Sequence, residues 1–199
     1  MLGLPTSTEI KKLIPKKKVY EHFGADMSAE RRKKFDADIA RMTLTNEIST
    51  VSINLPAGEN VQSFFVLYVQ LKSEAFDQQN IAYLSRLFGQ KLIMVLEADH
   101  RQRLALWQTK LIMTDWAEPA SFTLPLEGTT LDRAWENVVS RIAGIELQHG
   151  KTLDEQLAAA AANEKRQKEI AKLEKQARAE RQPKKKLELV QRIRELKNS

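Results

Sequence analysis

At 199 residues the chain has room for one domain with its own core and an appendage. It carries 32 Lys and Arg against 26 Asp and Glu and contains no cysteine, which excludes a disulfide framework, a thiolate zinc site and a cysteine nucleophile. The charge is divided: residues 1–34 hold a net +5, residues 35–150 a net −5 and residues 151–199 a net +6, a pattern that points toward holding partners more than toward turning over a small molecule.

In chain order, residues 1–24 read as an extended N-terminal segment with short helical pieces. Pro5 and Pro15 interrupt any long helix, and Gly24 closes the stretch. No apolar run here is long enough for a signal peptide. The longest apolar runs, 64–69 and 92–96, are far too short to cross a bilayer, so no membrane contact is expected and the protein reads as cytoplasmic.

Ser28 has the chemistry of an N-cap, since its hydroxyl can accept a bond from a first-turn N–H, and a basic helix is predicted over 29–37. From Ile39 the pattern takes a period of two. Ile39, Arg41, Thr43, Thr45 and Glu47 alternate with Ala40, Met42, Leu44, Asn46 and Ile48, and Val51, Ile53 and Leu55 extend the predicted strand to Pro56. Residues 63–71 are almost continuously apolar, as in a central strand buried on both faces. Residues 76–88 form an amphipathic pattern with Phe76, Ile81, Leu84 and Phe88 on one face.

A second buried strand is predicted over 91–97, with a turn at 98–100 and further strands over 101–108 and 110–114. Residues 121–126 read as a short edge strand interrupted by Pro125. A helix over 130–142 places Leu131, Trp135, Val138, Val139 and Ile142 on its inner face. Hairpin-linked strands mixed with strands separated by a helix imply an α+β core domain, a mixed sheet with flanking helices, over 25–148.

Residues 151–199 read as an arm. Thr152 and Glu155 make a capping box. Leu153, Leu157, Ile170, Leu173 and Ala177 give a narrow apolar stripe to about Arg181. Gln182-Pro183 breaks the helix, and Lys184 can start another carrying Leu187, Val190, Ile193 and Leu196. Two thin stripes are expected to fold into a basic antiparallel helical hairpin or coiled coil. Leu173, Leu187, Val190, Ile193 and Leu196 are its candidate partner-binding residues. The polar faces carry Lys172, Lys175, Arg178, Lys184, Lys185, Lys186, Arg192 and Arg194, which could neutralise phosphates with release of counterions. Lys16, Lys17 and Lys18 with Arg31 and Arg32 form a second candidate nucleic-acid surface.

Catalytic signatures are sparse. His22, His100 and His149 share no ligand spacing, and there is no G-x-x-x-x-G-K or G-x-G-x-x-G loop. No catalytic residue, metal or cofactor is assigned. The weak alternative is a restriction-type nuclease site with Lys72, Gln70 in place of an acid, and Glu47 or Glu59 upstream. Trp107, Trp116 and Trp135 read as core or interface anchors.

Three segments in order carry a family resemblance: Leu4-Pro5-x-Ser7-Thr8 leading to Ile14-Pro15-Lys16, then Lys91-Leu92-Ile93-Met94-Val95-Leu96-Glu97, then the run from Leu173 to Pro183. Together they resemble the domain of unknown function family DUF4391 over nearly the whole chain. The resemblance transfers no catalytic residue. It implies a context: relatives encoded beside superfamily-two helicases and DNA methyltransferases in bacterial restriction-like or phage-defence gene clusters. The expected function is therefore a non-catalytic accessory subunit of such a complex. Its partner would be a helicase or methyltransferase, with DNA as a further contact of the arm. A divergent metal-dependent nuclease and a structural coiled-coil homodimer are the alternatives.

Overall fold

The computed structural model describes residues 2–87, 89–124 and 126–198. Phe88 and Pro125, which the sequence places on a helix face and in an edge strand, lie outside the described residues. The chain divides into two compact units, Met1–Glu146 and Leu147–Ser199.

The first unit is built on six strands: β1 (Glu9–Leu13), β2 (Ile39–Ser49), β3 (Ser63–Leu71), β4 (Lys91–Ala98), β5 (Arg101–Trp107) and β6 (Leu111–Met113). They form one mixed sheet in sequence order. Every neighbouring pair is antiparallel except β3 and β4, which are parallel. A parallel pair needs a crossover, and helix α3 (Gln78–Arg86) supplies it. With helices α1 (Lys16–Phe23), α2 (Ala29–Asp38) and α4 (Leu131–Ala143), this is the α+β architecture expected.

One face of the sheet builds the main core. Met42, Leu44, Leu67, Val69, Met94, Leu96 and Ala105 pack with Val19, Phe35, Ile81 and Leu84 from α1, α2 and α3. The opposite face receives α4, whose Leu131, Trp135, Val138, Val139 and Ile142 are all buried, with Trp135 edge-on to Phe64 at 5.4 Å. Because β3 is covered on both sides near its start, its apolar run needs no alternation. Ser28 caps α2 by accepting the Arg31 N–H at 3.2 Å, and Thr130 caps α4 in the same way. Asp99 and His100 turn β4 into β5 with φ of 48° and 63°, the paired positive values that a two-residue hairpin of matching twist requires.

Three expectations are corrected. Residues 1–24 are not only extended and helical: Glu9–Leu13 adds an edge strand to the sheet, with a bulge at Lys11 (φ 46°) that hides its period of two. Strand β2 ends at Ser49 instead of running to Leu55, because Ser52 Oγ accepts the Ser49 N–H at 2.9 Å and donates to Glu47 O at 2.8 Å. These side-chain bonds turn the chain, and Val51 is left 95% exposed. Residues 121–126 form no strand among the described residues. Ser121 closes a 3-10 turn, and the Leu124 N–H donates to Leu2 O at 2.9 Å, pinning the N-terminus instead of joining the sheet.

The second unit holds α5 (Leu153–Ala179) and α6 (Pro183–Asn198). The Thr152–Glu155 capping box opens α5: the Thr152 hydroxyl accepts the Glu155 N–H at 3.3 Å, and Glu155 accepts the Thr152 N–H at 2.8 Å. Gln156 ties the preceding loop to the first turn by accepting from Gln148 N and donating to Lys151 O. Pro183 stands at the first position of α6, where its missing N–H costs nothing. The two helices touch, and Lys197 near the end of α6 lies 2.9 Å from Glu174 of α5.

Candidate docking and nucleic-acid surfaces

The N-terminal basic cluster is largely consumed by the fold. Lys16 Nζ lies 3.0 Å from Asp36 Oδ1, and the Tyr20 hydroxyl donates to the same oxygen at 2.6 Å. The Tyr20 bond, with Lys16 adding to it, holds the Asp36 carboxyl below the usual range, while burial first and Asp36 second push the Tyr20 phenol up. Arg31 keeps only 17% of its side chain exposed and ties α2 to the start of α3, 2.6 Å from Asp77 and bonded to Gln79. Asp77 is held low by the Gln79 N–H first and Arg31 second. Arg32 donates to Met27 O and Gly24 O and lies over the Tyr20 ring. Lys17 pairs with Glu21 one turn on. Of these five, Lys18 and Arg32 make no ion pair among the described residues, and Arg32 is held by backbone carbonyls instead.

The terminal helices are arranged differently. Residues 147–199 hold fourteen Lys and Arg against eight Asp and Glu. Lys172, Lys175, Lys184, Lys186 and Arg194 are exposed and make no ion pair among the described residues. Arg178 and Lys185 are exposed as well, each in the field of one glutamate, Glu174 and Glu180 respectively. Arg192 pairs loosely with Glu195 at 3.3 Å. The apolar stripe of α6 differs from the expected one. Leu189, Ile193 and Leu196, spaced four and three apart, are half-buried, whereas Leu187 and Val190 are 67% and 43% exposed. No residue of α6 is buried. Leu173 of α5 is half-buried, and Ile170 and Ala177 are buried. Leu189 was missed because a strict three-residue count leads from Leu187 to Val190. The i, i+4, i+7 spacing finds it.

The nuclease-like set is not brought together. Gln70 and Lys72 stand at the end of β3, where Gln70 pairs across with Arg41 and Glu97. Glu47 pairs with Phe65, five residues back along β3, or about 17 Å at the rise of an extended strand. Glu59 lies in the loop before β3 begins and so at the far end of that strand. Topology brings two other acids, Asp36 and Asp38, beside Lys72: the Lys72 N–H donates to Asp38 O at 2.8 Å and its Nζ to Asp36 O at 2.7 Å. Both carboxylates already serve the fold. Asp38 Oδ2 accepts from Asp77 N at 2.9 Å and from Asn80 Nδ2 at 2.7 Å, and Asp36 takes Tyr20 and Lys16. Among the described residues no three His, Asp or Glu side chains gather as metal ligands.

Sequence reading did not find the polar row that crosses the sheet beside Gln70. Arg41, Gln70, Glu97 and Gln102 are successive partners on β2, β3, β4 and β5. Gln102 is buried and donates to Glu97 Oε2 at 2.8 Å. Burial, and then Glu97, push the Tyr68 phenol on the neighbouring row above its ordinary value. Only strand order could reveal this row, because its members lie in four separate segments.

An α+β body with a six-stranded mixed sheet, together with a second unit of exposed basic helices, is the class of protein these features define. The family model described as a domain of unknown function, DUF4391, matches residues 2–199, and the chain belongs to that family. No curated protein and no solved structure matches it significantly. The three segments that carry the family likeness have clear places in the fold. The first is a 3-10 turn whose Thr8 Oγ1 accepts from the buried Asn46 at 2.8 Å, the second is β4, and the third is the end of α5 with the turn into α6.

Proposed function

We propose that this chain is a non-catalytic accessory subunit of a bacterial, cytoplasmic DNA-defence complex. Residues 151–199 act as a basic antiparallel hairpin arm that docks on a superfamily-two helicase or a DNA methyltransferase and lies along DNA. The observation that supports this reading best is α6 itself. It buries no residue, exposes Leu187 and Val190, and carries Lys184, Lys186 and Arg194, which make no ion pair among the described residues. Exposed aliphatic residues within a charged surface suit protein docking, and unpaired Lys and Arg suit phosphate contact.

The test is capture of the tagged full chain from its native cells, with and without nuclease, read by mass spectrometry. A helicase or methyltransferase is expected to remain after nuclease treatment and to be lost with the double variant L187D/V190D. The purified chain is expected to bind duplex DNA with an affinity that falls steeply with salt, the slope shrinking when Lys184, Lys185 and Lys186 become Glu. Unchanged capture by the variant, or a salt-independent dimer that binds no DNA, overturns the reading.

A further inference from the structure

A cavity of about 460 Å³ opens where the parallel strands β3 and β4 begin, at the opposite end of the sheet from Lys72. Its walls come from three places: Asn60 and Gln62 before β3, Gln90 and Lys91 after α3, and Trp107 and Gln108 at the end of β5. Among the described residues no carboxylate lines it, although residues 35–150 carry fourteen acids against nine bases. Such a cavity lies within the size range of small-molecule sites, which combine an apolar wall with a few convergent polar groups.

The charge here is fixed in place and uncompensated. Lys91 Nζ lies 5.5 Å from the centre of the Trp135 ring and donates to Gln108 Oε1 at 3.1 Å. That same oxygen accepts Trp135 Nε1 at 3.1 Å, so the amide, the ammonium and the indole orient one another. The Arg86 guanidinium stands 5.2 Å from the centre of the ring of Trp107, which lines the cavity, although Arg86 itself is not part of the lining. Neither cation has an acidic partner among the described residues. Ring and amide contacts restrain a cation without neutralising it. An anion entering the cavity would then form charge-assisted bonds with a group already positioned.

We infer that this cavity binds a nucleoside 5′-phosphate, either a free mononucleotide or the phosphorylated end of a nucleic-acid strand. Lys91, the cation of the lining, meets the phosphate, and Arg86 beside Trp107 adds to the positive field. The Asn60 side-chain amide, the Gln62 amide oxygen and the Gln90 amide nitrogen together offer donors and acceptors, the pattern a base edge presents in return. Gln62 Nε2 donates to Gly58 O at 2.7 Å, and Gln90 Oε1 accepts from Ser63 Oγ at 3.3 Å. Trp107 gives a flat apolar wall.

The experiment follows tryptophan fluorescence and calorimetry on the full chain with four probes: AMP, adenosine, and a four-nucleotide oligo-dT with or without a 5′-phosphate. AMP is expected to bind with a fluorescence change, and adenosine and the unphosphorylated oligomer to bind at least about tenfold more weakly. Tighter binding of AMP than of the phosphorylated oligomer identifies the free nucleotide as the source, and the reverse order identifies a strand end. Lys91→Gln is expected to weaken the preferred probe about tenfold, while Lys91→Arg, which keeps the charge, retains binding. If Lys91→Gln loses its fold, Gln62→Leu at an exposed position is expected to weaken binding about threefold. Absence of binding by every probe at millimolar concentration overturns the inference. So does adenosine binding as well as AMP, or a folded Lys91→Gln or Gln62→Leu variant that binds like the parent.

Discussion

Gly58 has no room for a β-carbon. One added there would lie 2.1 Å from Asp132 Oδ1 and 2.7 Å from Asp132 N. The close approach exists because Asp132, near the start of α4, gathers three consecutive backbone donors: Glu59 N at 2.9 Å, Asn60 N at 3.1 Å and Val61 N at 2.7 Å. Gly58→Ala is expected to lower stability by about 1–3 kcal/mol in urea unfolding, the usual range for overpacking. Asp132→Ala is expected to cost a similar amount through its lost bonds. The double variant is expected to cost less than the two together, because removing the carboxylate clears part of the clash. Strict additivity would mean that the two residues do not act through each other. Asp36 and Asp77 make a second prediction at this scale. Each carboxyl is held below the ordinary 3.8, so the stability it contributes is fully present above that value and lost as pH falls through its lower folded-state value. Asp77→Asn is expected to be less stable than the parent at neutral pH, with the urea midpoints of the two converging below pH 3.8. A constant gap across that range would show that Asp77 acts by packing and not by charge.

Single elements explain how far the sequence could be read. Ser28, the Thr152–Glu155 pair and the continuous apolar run of β3 were legible because each acts within a few residues of itself. Strand β1 was not, since a bulge at Lys11 breaks its alternation and its five residues are all exposed. The end of β2 was misread because the decisive group is one serine hydroxyl, which a hydropathy pattern does not register. The candidate basic residues near the N-terminus were easy to count, but their neighbours were not. Asp36 and Asp77, which neutralise Lys16 and Arg31, reach them only through packing of helices separated in sequence. On α6 the distinction between faces gives a direct test. Ile193→Ala and Leu189→Ala are expected to lower the melting temperature of the terminal helices, followed by circular dichroism. Leu187→Ala, at an exposed site, is expected to stay within about 0.5 kcal/mol of the parent. Equal losses at all three positions would mean that Leu187 also packs within the chain.

At the scale of the molecule, charge and burial separate along the chain. The acidic stretch carries five of the six strands, and among the described residues the cations without an acidic partner are concentrated on the C-terminal helices, with Lys172, Lys175, Lys184, Lys186 and Arg194. The first unit uses its Lys and Arg to join α1, α2 and α3, and the second displays them. Strand order adds a consequence for how the protein is made. The sheet runs β1-β2-β3-β4-β5-β6, which is also the order of synthesis. Each strand leaving the ribosome therefore meets its neighbour already in place, and no edge waits for a strand made much later. The one pause is at β4, whose parallel pairing with β3 requires α3 to be made first and the chain carried back across the sheet. The strands of the sheet therefore leave the ribosome ahead of the cationic helices, so the body can pair its strands before that charged segment is free in solution.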